Sequence, residues 1–199
     1  MPKPMLVLAA ARSKTLRRVA GALIAVNALI AVGILTPLVA VPAVVAGQSI
    51  GGVDGRPTIV GEWGYPLAGS YSVGRGFGWH PVAGCAYCSK DHRGFDMSQE
   101  CGATVYAAGP GTVVRAGAWG TFGNAVQVDH GGGVTTIYGH FMWDSLLVAP
   151  GSTVLAGTPL GLEGNTGVST GCHLHFEVRV DGVAVDPEPF MAARGLPLT

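Results

Sequence analysis

Hydrophobic and polar positions divide the 199-residue chain into two unlike parts. From Val19 to Ala46 run 28 residues without one charge, and a bilayer core of about 30 Å needs only roughly 20. Lys3, Arg12, Lys14, Arg17 and Arg18 precede this run, and the first acid is Asp54. Cations ahead of an apolar run hold its start on the cytoplasmic side, so everything beyond about Gly47 is expected to face the cell envelope outside. The pattern predicts a basic cytoplasmic segment over 1–18 and a single transmembrane helix or signal segment over 19–46. Val44-Val45-Ala46 has the small residues of a signal-peptidase site, whereas the run exceeds an ordinary signal core, so a retained anchor is favoured over a cleaved signal. A buried core helix fits poorly, because no polar face is left to meet water. Pro37 and Pro42 disturb a helix beyond Thr36. Residues 47–64, with Gly51-Gly52 and Pro57, read as a linker.

Beyond the linker, short apolar runs alternate with turn residues, and no amphipathic helix is sustained for more than two turns. This predicts an all-β fold of antiparallel sheet with short loops. Thr104 to Ala108 and Thr112 to Ala116 flank Gly109-Pro110-Gly111 and predict one hairpin. Ala125 to Asp129 and Val134 to Tyr138 flank a triple glycine and predict a second. Short strands and tight turns continue from Val148 to Gly164-Asn165-Thr166-Gly167, and a brief helix is expected over 187–193.

Composition agrees with this picture. Charged residues are only 12% of the chain and glycines number 32, which disfavours disorder and long helical bundles. Past residue 46, seven basic residues face twelve acidic ones, so no nucleic-acid partner is expected. Four cysteines outside the cytoplasm point to disulfides rather than free thiols.

The segment His173-Leu174-His175-Phe176-Glu177-Val178-Arg179-Val180 alternates with period two. It predicts a strand with Leu174, Phe176, Val178 and Val180 on the core side and His173, His175 and Glu177 opposite. His92 and Asp96 form a second element, since positions i and i+4 share a face in helix or strand. Imidazole and carboxylate are the usual ligands of a catalytic zinc, which takes three protein ligands and leaves one position for water. His140, ending the second predicted hairpin, is a third element. Spacing alone leaves open which histidines ligate, because two histidines two apart on a strand can both bind one ion. His80 and His130 read as turn histidines. Tyr71, Trp79, Tyr138, Phe141 and Trp143 read as core more readily than as groove lining.

Several motifs in one order carry a further signal: Gly76-Phe77-Gly78, His92-x-x-x-Asp96, Val105-Tyr106-Ala107-Ala108, Val128-Asp129-His130-Gly131, Tyr138-Gly139-His140, Gly164-x-Thr166-Gly167 and Ser169-Thr170-Gly171-Cys172-His173-Leu174-His175-Phe176-Glu177. Over about 65–195 the chain resembles the lysostaphin or LytM type of zinc peptidoglycan endopeptidase. The resemblance implies a LytM-like peptidase domain in which His92, Asp96 and His175 ligate Zn2+ and His140 and His173 are catalytic. It implies a peptide bond in the stem or cross-bridge peptides of peptidoglycan as substrate, and a monomer is expected. Gly139 departs from the alanine or serine more usual in the family, and the Cys85 to Lys90 segment is an unusual insertion. If Asp96 and His175 share one ion, Cys101 and Cys172 lie near neighbouring points, so Cys101 is expected to pair with Cys172 and Cys85 with Cys88. A structural zinc on Cys85, Cys88 and His92 is the rival arrangement. Glu177 reads either as a support for a ligand or as an ordinary cross-strand ion-pair partner. A non-catalytic peptidoglycan-binding or hydrolase-regulating relative remains the alternative function, although all five expected site residues are present. A zinc carboxypeptidase of another fold fits less well, its histidine-to-aspartate spacing being wider.

Overall fold

The computed structural model describes residues 55–199. The expected cytoplasmic segment and membrane anchor lie outside these residues. Among the described residues, fourteen strands occur in chain order: β1 (Ile59–Val60), β2 (Trp63–Gly64), β3 (Ser72–Val73), β4 (Gly78–Trp79), β5 (Asp91–His92), β6 (Phe95–Ser98), β7 (Thr104–Tyr106), β8 (Gly111–Ala118), β9 (Asn124–Asp129), β10 (Val134–Phe141), β11 (Thr153–Val154), β12 (Pro159–Leu162), β13 (Leu174–Val180) and β14 (Val183–Val185). One short helix, α1 (Pro187–Ala192), follows them. The main sheet runs β11-β8-β9-β10-β13-β6-β3, with β14 on the far part of β13, and smaller pairs form from β1 and β2, β4 and β5, and β7 and β12. The pairings are antiparallel, as the sequence pattern predicts.

The period-two alternation sorts the central strands into two faces. Phe95 opposes Phe176 and Phe176 opposes Tyr138 across β6, β13 and β10, and with Val126, Val128 and Val178 they are fully buried in the core. The Tyr138 and Phe176 rings lie 5.5 Å apart. The Tyr138 hydroxyl accepts the Ala108 N–H at 2.7 Å and the Thr136 hydroxyl at 3.0 Å, so a phenol can sit in a dry core with its polar end satisfied. Burial pushes its pKa up to about 12. Tyr138 and Phe141 are thus core residues, while Trp79 and Trp143 are exposed.

The second predicted hairpin forms: β9 pairs with β10 around Gly131, Gly132 and Gly133, all at positive φ, the backbone region that tight turns require and glycine tolerates. The first does not. β7 pairs with β12, and β8 pairs with β9 and β11. The Gly109-Pro110-Gly111 corner therefore carries the chain from β7 to β8 without pairing the two strands. Moreover, the Ala107 and Ala108 donors are committed to the Thr158 carbonyl and the Tyr138 hydroxyl. The end of the predicted linker also takes on structure: β1 and β2 form a small hairpin, and Trp63 packs against the core and the rings of His130 and Phe190. Helix α1 starts as its sequence dictates, with Asp186 accepting the Glu188 N–H and Pro187 in the first turn.

Disulfides join Cys85 to Cys88 and Cys101 to Cys172. The cysteine pair is therefore not a set of structural zinc ligands. The second bridge spans 71 positions and ties the segment after β6 to the entrance of β13. Loop-closure entropy alone predicts that Cys101→Ser/Cys172→Ser lowers unfolding free energy by roughly 4 kcal/mol. Urea denaturation of the oxidised protein and the double variant measures it.

Candidate metal centre and active site

Strand register assembles the site. Asp96 on β6 opposes His175 on β13, and His175 opposes Gly139 on β10, so these positions share the face opposite the Phe95–Phe176–Tyr138 row. His92 arrives on β5, one tight corner before β6. At that corner Gly94 is indispensable: an added Cβ would fall 2.7 Å from both His175 Cε1 and the Phe176 carbonyl oxygen. At Gly139, by contrast, a Cβ would meet nothing closer than His175 Cβ at 3.4 Å, so an alanine would fit there too.

Three donor atoms converge. His92 Nε2 lies 3.0 Å from His175 Nδ1 and 3.1 Å from Asp96 Oδ1, and His175 Nδ1 lies 2.9 Å from Asp96 Oδ1. All three residues are buried. Outside the triangle, His92 Nδ1 is 2.8 Å from the Gly76 carbonyl, which can only accept, so the proton sits on Nδ1 and the Nε2 lone pair faces inward. His175 Nε2 faces Glu177 Oε1 at 3.2 Å, and Glu177 Oε2 in turn accepts Arg179 Nε and Nη2 at 2.8 and 2.7 Å. Glu177 thus supports an imidazole, and its cation is Arg179 two residues along the same strand rather than a cross-strand partner.

Electrostatics fit a cation at the triangle. Burial alone would raise the Asp96 pKa, but hydrogen bonds and charge from His175 and His92 hold it well below the usual carboxylate range. Burial alone would lower that of His175, yet Asp96 and Glu177 facing its two nitrogens push it up to about 9. Two imidazole nitrogens and one carboxylate oxygen, all near 3 Å apart, suit metal bonds of about 2.0–2.1 Å, whose tetrahedral edges are about 3.3 Å. The donor set therefore fits a divalent metal such as zinc.

Two more imidazoles complete the cluster. His173 Nδ1 donates to the Gly171 carbonyl at 2.9 Å, leaving Nε2 3.7 Å from Asp96 Oδ1. It precedes β13 and is bridged to Gly164 rather than lying within the strand. His140 adopts φ +67°, where the β9–β10 register shifts. That bulge turns its ring to within 4.7 Å of His173 and 5.8 Å of His175, centroid to centroid. His140 Nδ1 donates to the Thr166 carbonyl at 2.7 Å, and the Thr166 hydroxyl bonds Phe141 O and Asn124 N. Burial first, then the charge of His173 and His175, lowers the His140 pKa to about 4, so its Nε2 holds a lone pair at neutral pH.

All five residues singled out from sequence line one groove of about 460 Å³. His130 lies elsewhere, its ring nitrogens bonded to Pro110 O and Thr136 Oγ1. Sequence reading missed the parts played by Gly94, Thr166 and Arg179. Arg179 was within reach, since it continues the period-two face of His175 and Glu177. Gly94 and Thr166 act through packing and a backbone carbonyl, which residue type does not announce.

The sequence profile of peptidase family M23 matches residues 90–187. The chain is 36% identical over 112 residues to DD-carboxypeptidase/endopeptidase Mpg of Neisseria meningitidis, spanning 56% of this chain and 25% of that protein. It is 35% identical over 125 residues to peptidoglycan DD-endopeptidase ShyA of Vibrio cholerae, spanning 61% and 28%. It spans only about a quarter of the length of these curated relatives. Among solved structures, the catalytic domain of lysostaphin from Staphylococcus simulans superposes with a TM-score of 0.54 at 33% identity, over 61% of this chain and 92% of that one.

Gly94→Ala is expected to displace His175 and cost about 1–3 kcal/mol of stability by overpacking. Thermal denaturation and competitive titration with a metal indicator check it: both stability and metal affinity should fall, whereas Gly139→Ala should change neither appreciably.

Proposed function

The chain belongs to peptidase family M23, and from that premise we propose that it is a zinc-dependent endopeptidase hydrolysing the stem or cross-bridge peptides of bacterial peptidoglycan. The observation that carries this reading is the convergence of three inward-facing donor atoms, on His92, Asp96 and His175, with two further imidazoles beside them. Family members are generally zinc-dependent. Relatives named as DD-endopeptidases favour a bond within a cross-link. The cationic N-terminus and uncharged run from Val19 to Ala46 would anchor the domain on the outer side of the membrane, where that polymer lies.

In this mechanism His92, Asp96 and His175 would hold the ion. When bound, zinc supplies Lewis acidity, lowering the pKa of water toward ~7 and polarising an amide carbonyl. His140 and His173, each with its Nδ1 proton committed to a backbone carbonyl, keep Nε2 for proton exchange with the attacking water and the departing amine. Burial of His140 keeps it neutral and able to accept a proton. Glu177, pinned by Arg179, holds the His175 proton on Nε2 and so preserves the donating lone pair on Nδ1.

Incubating the purified chain with isolated peptidoglycan tests the proposal, with soluble products identified by mass spectrometry and zinc content measured alongside. New peptide termini, abolished by a chelator and restored by zinc, are expected. His92→Ala and His175→Ala should lose metal and activity together, while His140→Ala should retain zinc and lose at least about 100-fold in turnover. Stoichiometric zinc without cleavage of several wall types would replace the enzyme with a peptidoglycan-binding or regulatory protein. Loss of zinc from His140→Ala would overturn the division of roles.

A further inference from the structure

Strands β4 and β5 pair as Gly78 with His92 and Trp79 with Asp91, and the eleven residues 80–90 between them form an excursion beside the groove. This excursion is tied down at its base. The His80 N–H bonds the Lys90 carbonyl at 2.9 Å. The Arg75 guanidinium donates to His80 O at 3.1 Å and Ser89 O at 2.7 Å, one carbonyl on each limb. The Cys85–Cys88 disulfide closes its tip. Such a short segment carries almost no apolar core of its own, so these covalent and polar ties are what fix its shape.

Between the two cysteines stands Tyr87, 72% exposed yet part of the groove lining with Val82 and Cys88. Phe122 and Val168 line the same groove. A solvated aromatic ring on a cross-linked loop costs little entropy to immobilise when it meets a ligand. Because the returning limb of the excursion is β5, which ends on His92, the ring is held in a fixed relation to the site that would bind the ion.

We propose that the disulfide-closed segment 80–90 is a preformed wall of the substrate groove, and that Tyr87 binds the peptide being cleaved through its aromatic face. This rests on the peptidase reading above. Tyr87 and Val82 of the wall, together with Phe122 and Val168 of the same groove, take the aliphatic part of a peptide residue. Arg75 is a positioning residue for the wall.

The test compares wild type, Tyr87→Ala, Tyr87→Phe and Cys85→Ser/Cys88→Ser on soluble cross-linked peptidoglycan peptides. Co-sedimentation with insoluble peptidoglycan and zinc content are measured on the same preparations. Tyr87→Ala should raise KM and weaken co-sedimentation about tenfold with kcat and zinc content unchanged, while Tyr87→Phe stays within about twofold of wild type. The double serine variant should raise KM in the same direction as its wall loosens. Unchanged KM and co-sedimentation in Tyr87→Ala would overturn the wall and leave the peptidase intact, and loss of zinc in that variant would make the residue merely structural. Absence of cleavage by wild type would overturn the peptidase instead, and co-sedimentation would then decide the wall by itself.

Discussion

The antiparallel register that sets Asp96 beside His175, and His175 beside Gly139, is the constraint on which the site depends. A slip of one residue on β13 would carry His175 into the core and Phe176 into the groove, because side chains alternate faces with period two. The hydrophobic row of Phe95, Phe176 and Tyr138 prevents that slip, since exposing those rings would forfeit several kcal/mol of burial. Core packing thus holds the polar face in register. The same two facts explain why a polar cluster can be buried: its ligating atoms are positioned by strands whose other face is already fixed.

His140 obeys a different rule. It is placed by a bulge, with a left-handed backbone that non-glycine residues adopt at a cost of about 1–3 kcal/mol. Its neighbours supply the compensation. The Thr166 carbonyl receives the His140 ring proton, and the Thr166 hydroxyl links Phe141 to Asn124 across the bulge. Close stacking of Gly123 on Thr166 and Gly167 leaves no room for side chains at those glycines. The segment Gly164-Asn165-Thr166-Gly167 is therefore a support for a strained histidine rather than a generic turn.

Much of this was legible in the sequence. Alternation from His173 to Val180 gave the face of β13 correctly from Leu174 to Val178, with Val180 only half-buried, and the triple glycine marked its hairpin because positive φ has a distinct residue signature. The pairing of β7 was not legible, since Thr104–Tyr106 suits either neighbour locally and the choice falls to Thr158 and Tyr138, which are distant in sequence. His173 also escaped the strand pattern: it bridges Gly164 just before β13 and reaches the cluster from the strand's entrance. The five site residues could be picked out because metal-ligand chemistry restricts residue type. Their supports could not, because a backbone carbonyl or a missing Cβ can come from almost any sequence.

Charge balance explains why the supports extend as far as Arg179. Asp96 and Glu177 are both buried beside His175, and two uncompensated carboxylates there would each be costly. With no metal ion bound, a second proton on His175, favoured by both carboxylates, offsets one of the two charges, and its pKa rises to about 9. A divalent ion would displace that proton and neutralise Asp96 directly, but it could not also serve Glu177, which lies on the far side of the ring. Arg179 does so, with two hydrogen bonds to the oxygen that His175 does not use. The ion pair leaves Glu177 negative and immobile, able to accept the Nε2 proton without taking it. Removing the cation from this pair would shift the carboxylate's allegiance and, through one shared proton, the lone pair on the opposite nitrogen.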